Sequence, residues 1–376
     1  MLVGRDPATG QPVEISVANG RIAAIEPSGH DIDHFISPGL IDLQVNGYDG
    51  HDLNDGALAP ETVIALAAAM RRVGVTTFLP TLITASEERI VAALRAIAEA
   101  RRADETTARM IPFVHVEGPF LSAEDGPRGA HPREWVRAPD LAEVERWRVV
   151  GEGLVGLVTL SPHFDEAPDF ISALVARGIR VSIGHTHASA DQIRAAAAVG
   201  ASLSTHLGNG AAANLPRHPN FIWAQLAEDR LTATFIADGH HLPADAFTAM
   251  LRAKSLDRAI LVSDVTALGG KPSGIYEQAI GGRVELSADG RLGIPGTPYL
   301  AGAARSLKDN VAIAARMAGL SLADALRLAA TNPGKIIGGR GAFAIGAPAD
   351  LIMFRWSPGD ETLDIQSVFV GGREID

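Results

Sequence analysis

Residues 179–198, IRVSIGHTHASADQIRAAAA, change their hydrophobic period midway, and that change decides the fold. Ile179 to Ile183 is a short apolar run with the length and β-branched content of a buried strand. His185 and His187 follow it directly. Ser189 then stands ahead of Asp191 where a helix begins, and the alanines at 195–198 continue an amphipathic helical pattern. A buried strand, a polar turn and a helix make one βα unit.

Outward from this stretch the same alternation repeats from residue 41. Eight β-rich runs are read: Ile41–Val45, Val75–Leu79, Ile111–Val116, Leu154–Leu160, Ile179–Ile183, Ser202–Thr205, Leu231–Ile236 and Ile260–Ser263. Helical segments lie between them, with starts at Ser86, Asp140, Ser189 and Pro243. Eight parallel strands with intervening helices close most simply as a (β/α)8 TIM barrel over 41–344. The ends read as antiparallel β. Residues 13–17 alternate, Asn19-Gly20 signals a hairpin, and Asp350–Phe354 and Gln366–Val370 are short strands near the other end. Neither end has enough strands to stand alone, so residues 1–40 and 345–376 are predicted to pair as one small β-sandwich. A β-hairpin near 275–295, turning at Asp289-Gly290, is read as an insertion in the barrel unit that can join the sandwich.

Composition narrows the function. Lys plus Arg is 33 and Asp plus Glu is 44, a formal charge of -11, which repels phosphate backbones and anionic membranes. No nucleic-acid or membrane partner is expected. There are no cysteines, which removes thiolate nucleophiles and Cys-ligated zinc and fits a cytoplasmic setting. The 12 histidines remain for metal chemistry.

In such a barrel the reacting groups come from the carboxyl ends of the strands. Read in order, those ends carry Gln44 and Asn46, His115 and Glu117, His163, His185 and His187, His206 and Asn209, Asp238, His240 and His241, and Asp264. A lone histidine there is ordinarily structural; this concentration is not. Glu117, His185 and His206 supply the imidazole and carboxylate donors that a divalent ion needs while leaving a position open for water. Zinc is favoured for hydrolysis, and Fe2+, Co2+ or Mn2+ fit the same donors. An ion so held lowers the pKa of its water and polarises a carbonyl, so amide hydrolysis is the natural reaction. Asp264 is placed to take the proton from that water, or else to cap the segment that follows.

These residues also carry a family resemblance. Asn19-Gly20-Arg21-Ile22, Ser37-Pro38-Gly39-Leu40-Ile41-Asp42 and Ala347-Pro348-Ala349-Asp350-Leu351 resemble the metal-dependent amidohydrolase superfamily. His115-Val116-Glu117-Gly118-Pro119-Phe120, Gly129-Ala130-His131, Gly184-His185-Thr186-His187-Ala188, Thr205-His206-Leu207, Asp238-Gly239-His240-His241 and Ser263-Asp264-Val265 narrow the resemblance to its N-acetylglucosamine-6-phosphate deacetylases. The resemblance implies Glu117, His185 and His206 as ligands of one metal ion per chain, Asp264 as general base and acid, and His241 on the substrate carbonyl or sugar. It implies substrate contacts at Ala130, His131, Asn209, Gly210, Leu300, Ala301 and Gly302, with Arg217 gripping a 6-phosphate. Gln44 and Asn46 replace the His-x-His pair that holds a second metal elsewhere in the superfamily, and so support the site from behind. His187 is either a donor behind the ligands or a surface residue. A small-molecule amino sugar is the implied substrate and a homodimer the implied assembly.

The chain departs from the family pattern at Leu207-Gly208-Asn209-Gly210-Ala211, at Arg217-His218-Pro219, at His163 where a glutamate is common, and at Ala303-Ala304-Arg305. Two other readings stand beside deacetylation of the phosphosugar. One is an amidohydrolase for another N-acyl amine or an unphosphorylated N-acetyl amino sugar. The other is a barrel that binds without turnover, against which the intact Asp264 argues.

Overall fold

The computed structural model describes residues 1–278 and 282–375. Residues 279–281, within the predicted hairpin, and residue 376, the last of the predicted sandwich, lie outside the described residues. Eight parallel strands form one sheet: β1 (Leu40–Val45), β2 (Val75–Ile83), β3 (Val114–Glu117), β4 (Val155–Leu160), β5 (Arg180–Ile183), β6 (Leu203–Ser204), β7 (Thr232–Phe235) and β8 (Ala259–Leu261). They neighbour one another in chain order. Closure between β8 and β1 comes from a parallel bridge, Val45 to Val265, with the amides of Asn46 and Gly47 donating to the Val265 carbonyl. Below it, the buried Asp42 carboxylate accepts from the Ser263 hydroxyl at 2.5 Å and the Ser263 amide at 3.2 Å. The sheet is thus a (β/α)8 barrel.

The chemistry of each strand explains why it lies inside. Ile41, Leu43, Leu79, Leu157, Leu203, Ile236, Ile260 and Val262 form one buried cluster, and a larger one joins strands to the surrounding helices. Packing strand residues into the barrel interior makes it a solid core and not a pore. Helix starts follow the sequence signals: Ser86 caps Glu87–Ala103 through the Arg89 amide, and Ser189 with Gln192 forms a capping box on Ala190–Ala198.

Strands from both termini interleave in one seven-stranded sheet, in which Phe35–Pro38 pairs with both Leu2–Arg5 and Leu351–Arg355. Arg21 bridges Pro348, so the far strand curls back over a cluster of Ile15, Ile22, Ile36, Leu351 and Phe369. The predicted hairpin is part of a larger sheet inserted in the barrel unit. Gly274–Gln278, Gly282–Leu286, Arg291–Gly293 and Leu300–Ala303 form a separate four-stranded antiparallel sheet. It meets the barrel, not the terminal sheet: Ala303 bridges Val265, just past β8, and Thr266 donates to the Ala303 carbonyl. This pairing carries Leu300, Ala301 and Gly302 to the barrel mouth.

Candidate active site

The mouth opens into a cavity of about 460 Å³ at the carboxyl ends of the strands. Glu117 closes β3, His185 stands two residues past β5, and His206 two past β6, all three buried. Their donor atoms converge: His206 Nε2 lies 3.0 Å from Glu117 Oε1, His185 Nε2 3.3 Å from the same oxygen, and the two Nε2 atoms are 3.1 Å apart. Tetrahedral ligands at about 2.0–2.1 Å from one zinc-like ion are separated by about 3.3 Å, so these edges fit one divalent ion. Among the described residues this is the one cluster of three or more such groups close enough to share an ion.

Neighbouring groups prepare the donors. The Pro127 carbonyl accepts from His185 Nδ1 at 2.9 Å, which leaves Nε2 as the lone-pair nitrogen facing the cluster. Gln44 Nε2 donates to Glu117 Oε1 at 3.1 Å. Burial works against the Glu117 charge, yet the His185 and His206 imidazoles beside it hold the carboxylate well below its usual range. It is therefore an anionic donor. Two residues before Glu117 on β3, His115 points down the barrel, donating to the Leu43 carbonyl and accepting from Thr159; burial lowers it to about 4, and it serves as a neutral filler.

Asp264 faces this cluster from the segment after β8. Burial, reinforced by the Glu117 charge, pushes it up to about 6, while the His206 and His241 imidazoles and a 2.7 Å bond from Asn46 Nδ2 pull the other way. A carboxyl that titrates near neutrality can both take and return a proton. Its side chain turns to Asn46 and the cavity, and it also lines that cavity. His185, His206 and Asp264 share a feature of backbone: their φ angles are 47°, 28° and 53°, in the left-handed region that side-chain-bearing residues avoid. Such conformations persist where packing over-determines them, as at functional sites.

The rest of the predicted site divides. Ala130, His131, Asn209, Gly210, His241, Leu300, Ala301 and Gly302 all line the cavity. His131 is buried, with Nδ1 at 2.9 Å from Thr84 Oγ1 and Nε2 at 3.2 Å from His185 Nε2; burial and His185 lower it to about 3, so it is a neutral polar wall. Arg217 is exposed and is not among the residues that line this chain's cavity. It sits on the irregular segment ahead of Phe221–Ala227, a stretch with no strand to aim it inwards. His187 touches none of the three ligands: its Nδ1 meets Ser122 Oγ at 2.6 Å and its ring lies against His163, so its tie to the site runs through the Ser122 amide, which donates to the His185 carbonyl. His163 bonds Ser161 and His240 donates to the Asp289 carbonyl of the insertion sheet.

Sequence reading missed several participants, of which four matter most. The Pro127 carbonyl is backbone and carries no residue signature. Thr84 lies at the end of β2, far in sequence from His131. Gln278 and Tyr299 reach the cavity only through the insertion sheet.

Fold and site together define a metal-dependent hydrolase of the amidohydrolase class, and the family model described as the amidohydrolase family matches residues 35–375. The chain belongs to that family. Within it, the chain is 30% identical over 355 residues to the N-acetylglucosamine-6-phosphate deacetylase of Bacillus subtilis (strain 168), covering 90% of this chain and 88% of the relative. It is also 30% identical over 374 residues to the N-acetylgalactosamine-6-phosphate deacetylase of Escherichia coli O157:H7, covering 96% and 94%. A solved structure of N-acetyl-D-glucosamine-6-phosphate deacetylase from Mycobacterium smegmatis, an aspartate-to-alanine mutant in complex with N-acetyl-D-glucosamine-6-phosphate, matches with a TM-score of 0.85. That match has 29% identity and covers 96% of this chain and 94% of the other.

Proposed function

We infer that the chain is a metal-dependent hydrolase that removes the acetyl group from N-acetylglucosamine 6-phosphate, giving glucosamine 6-phosphate and acetate. The observation that carries this reading is the meeting of three converging metal donors with the Asp264 carboxyl in one sugar-sized cavity. The relatives supply the substrate class. Glu117, His185 and His206 hold one ion, for which zinc is the choice for hydrolysis, with Fe2+, Co2+ and Mn2+ accepted by the same donors. When bound, it supplies Lewis acidity and lowers the pKa of a water.

The chain's own residues do the remaining steps. Asp264 takes a proton from the attacking water and passes it to the leaving amine. Asn46 holds Oδ1 of Asp264 so that the other oxygen faces the reaction. His241 orients the substrate from the β7 side, while Ala130, His131, Asn209, Gly210 and the Leu300–Gly302 turn enclose the sugar. Gln44 and Asn46 occupy places where a second ion needs imidazoles, and amides bind such ions poorly, so one ion suffices.

The 6-phosphate end calls for a cation. No Lys or Arg stands among the described lining residues, which favours a homodimer in which Arg217 of one chain serves its partner's cavity. A second reading, N-acetylgalactosamine 6-phosphate as the preferred sugar, is favoured by the Escherichia coli relative. Comparing kcat/KM for the 6-phosphates of N-acetylglucosamine and N-acetylgalactosamine and for free N-acetylglucosamine tests both. The first sugar is expected to lead; equal rates with and without phosphate would overturn the phosphosugar assignment.

A further inference from the structure

We propose that Asp238 is a positioning residue of this site, holding the proton of His241 on Nδ1 and turning Nε2 towards the substrate. Asp238 lies three residues past β7 and is 3% exposed. Its Oδ1 accepts the backbone amides of His240 at 2.8 Å and His241 at 2.9 Å. That much is an ordinary turn. The second oxygen does something a turn does not require: Oδ2 meets the ring of His241 at Nδ1, 2.7 Å away. Because these bonds and the His241 imidazole outweigh burial, the carboxylate is held down to about 2 and remains an acceptor at any working pH.

An ionised carboxylate has no proton to give, so Nδ1 must carry one. The neutral tautomer with hydrogen on Nε2 is thereby excluded, and His241, which lines the cavity, presents Nε2 as a lone pair when neutral. It donates to a substrate oxygen only as the imidazolium. Two carboxylates face this ring, Asp238 from its own turn and Asp264 from the segment after β8. Of these, Asp238 alone bonds it, so Asp238 sets how His241 meets substrate.

What Nε2 meets rests on the deacetylase reading above; the tautomer does not. Two measurements on the metal-loaded protein keep them apart. Asp238→Asn retains an oxygen for the two amides but loses the charge at Nδ1. In the wild type this change is expected to lower kcat/KM for N-acetylglucosamine 6-phosphate by roughly tenfold or more. In a His241→Ala background the same change is expected to cost less than about threefold, because its effect passes through the missing ring. Metal content is expected to stay at the wild-type level in all variants. An equal loss in both backgrounds, or no loss in either, would overturn the proposal. Nitrogen-15 NMR of histidine-labelled wild-type protein reads the tautomer without any turnover. The His241 signal is expected to show hydrogen on Nδ1; hydrogen on Nε2 alone would overturn the proposal even if Asp238→Asn failed to fold. A protein that shows the Nδ1 tautomer yet does not act on the sugar would instead count against the deacetylase reading.

Discussion

The left-handed backbone at Asp264 makes one substitution unusually clean. Asparagine is among the few residues that tolerate this region, so Asp264→Asn keeps both the φ of 53° and the side-chain shape while removing the proton acceptor. Turnover should fall by roughly a hundredfold or more with metal content unchanged. Near-normal turnover would move the base elsewhere. Gly210 gives the converse test, of metal without chemistry. Its φ is 57°, and a Cβ there would lie 2.8 Å from His185 Nδ1, the atom that donates to Pro127. Gly210→Ala should therefore tilt a ligand and weaken metal binding by roughly tenfold or more, measured by competition with a chelating dye. Unchanged affinity would show that the His185–Pro127 bond does not set the site. Residues such as Glu117, His185, His206 and Asp264 were legible because each follows an apolar run at a strand end. Asp238 was visible only as part of a motif, since an aspartate before glycine reads equally well as a turn.

At the scale of elements, the seam between first and last strands carries a buried charge. Asp42 on β1 accepts from Ser263 and from the Gln44 amide, and burial pushes it up to about 7. Its folded pKa is thus above the ordinary unfolded value near 4, so folding favours the protonated form. The stabilisation it gives is fully present below about pH 4 and is lost as pH rises through 7. Between pH 5 and pH 8 the wild type should lose about 2 kcal/mol or more relative to Asp42→Asn, measured by urea unfolding of the metal-saturated proteins. A difference independent of pH would contradict this account of the seam. The seam was not readable in advance. Asp42 and Ser263 are 221 residues apart, and only barrel closure brings them together. The same holds for the insertion: the Asp289-Gly290 turn was visible, but the bridge from Ala303 to Val265 is a tertiary event that no local period reports.

For the whole molecule, the alternation of β-rich and helical periods was enough to read the barrel, because parallel strands buried on both faces leave continuous apolar runs. Pairing of the two termini was legible for a different reason, that neither end has enough strands to be stable alone. Placement of Arg217 was not, since the irregular segment around it has no periodicity to fix its direction. The central claim is that one ion, held by Glu117, His185 and His206, equips this chain to hydrolyse an acetamide. The most direct test removes all metal and adds zinc back while acetate release from N-acetylglucosamine 6-phosphate is followed. Activity should be absent at the start, rise linearly, and reach its plateau at about one equivalent per chain, with His206→Ala showing neither tight binding nor turnover. A plateau at two equivalents, or full activity in the metal-free protein, would contradict the account.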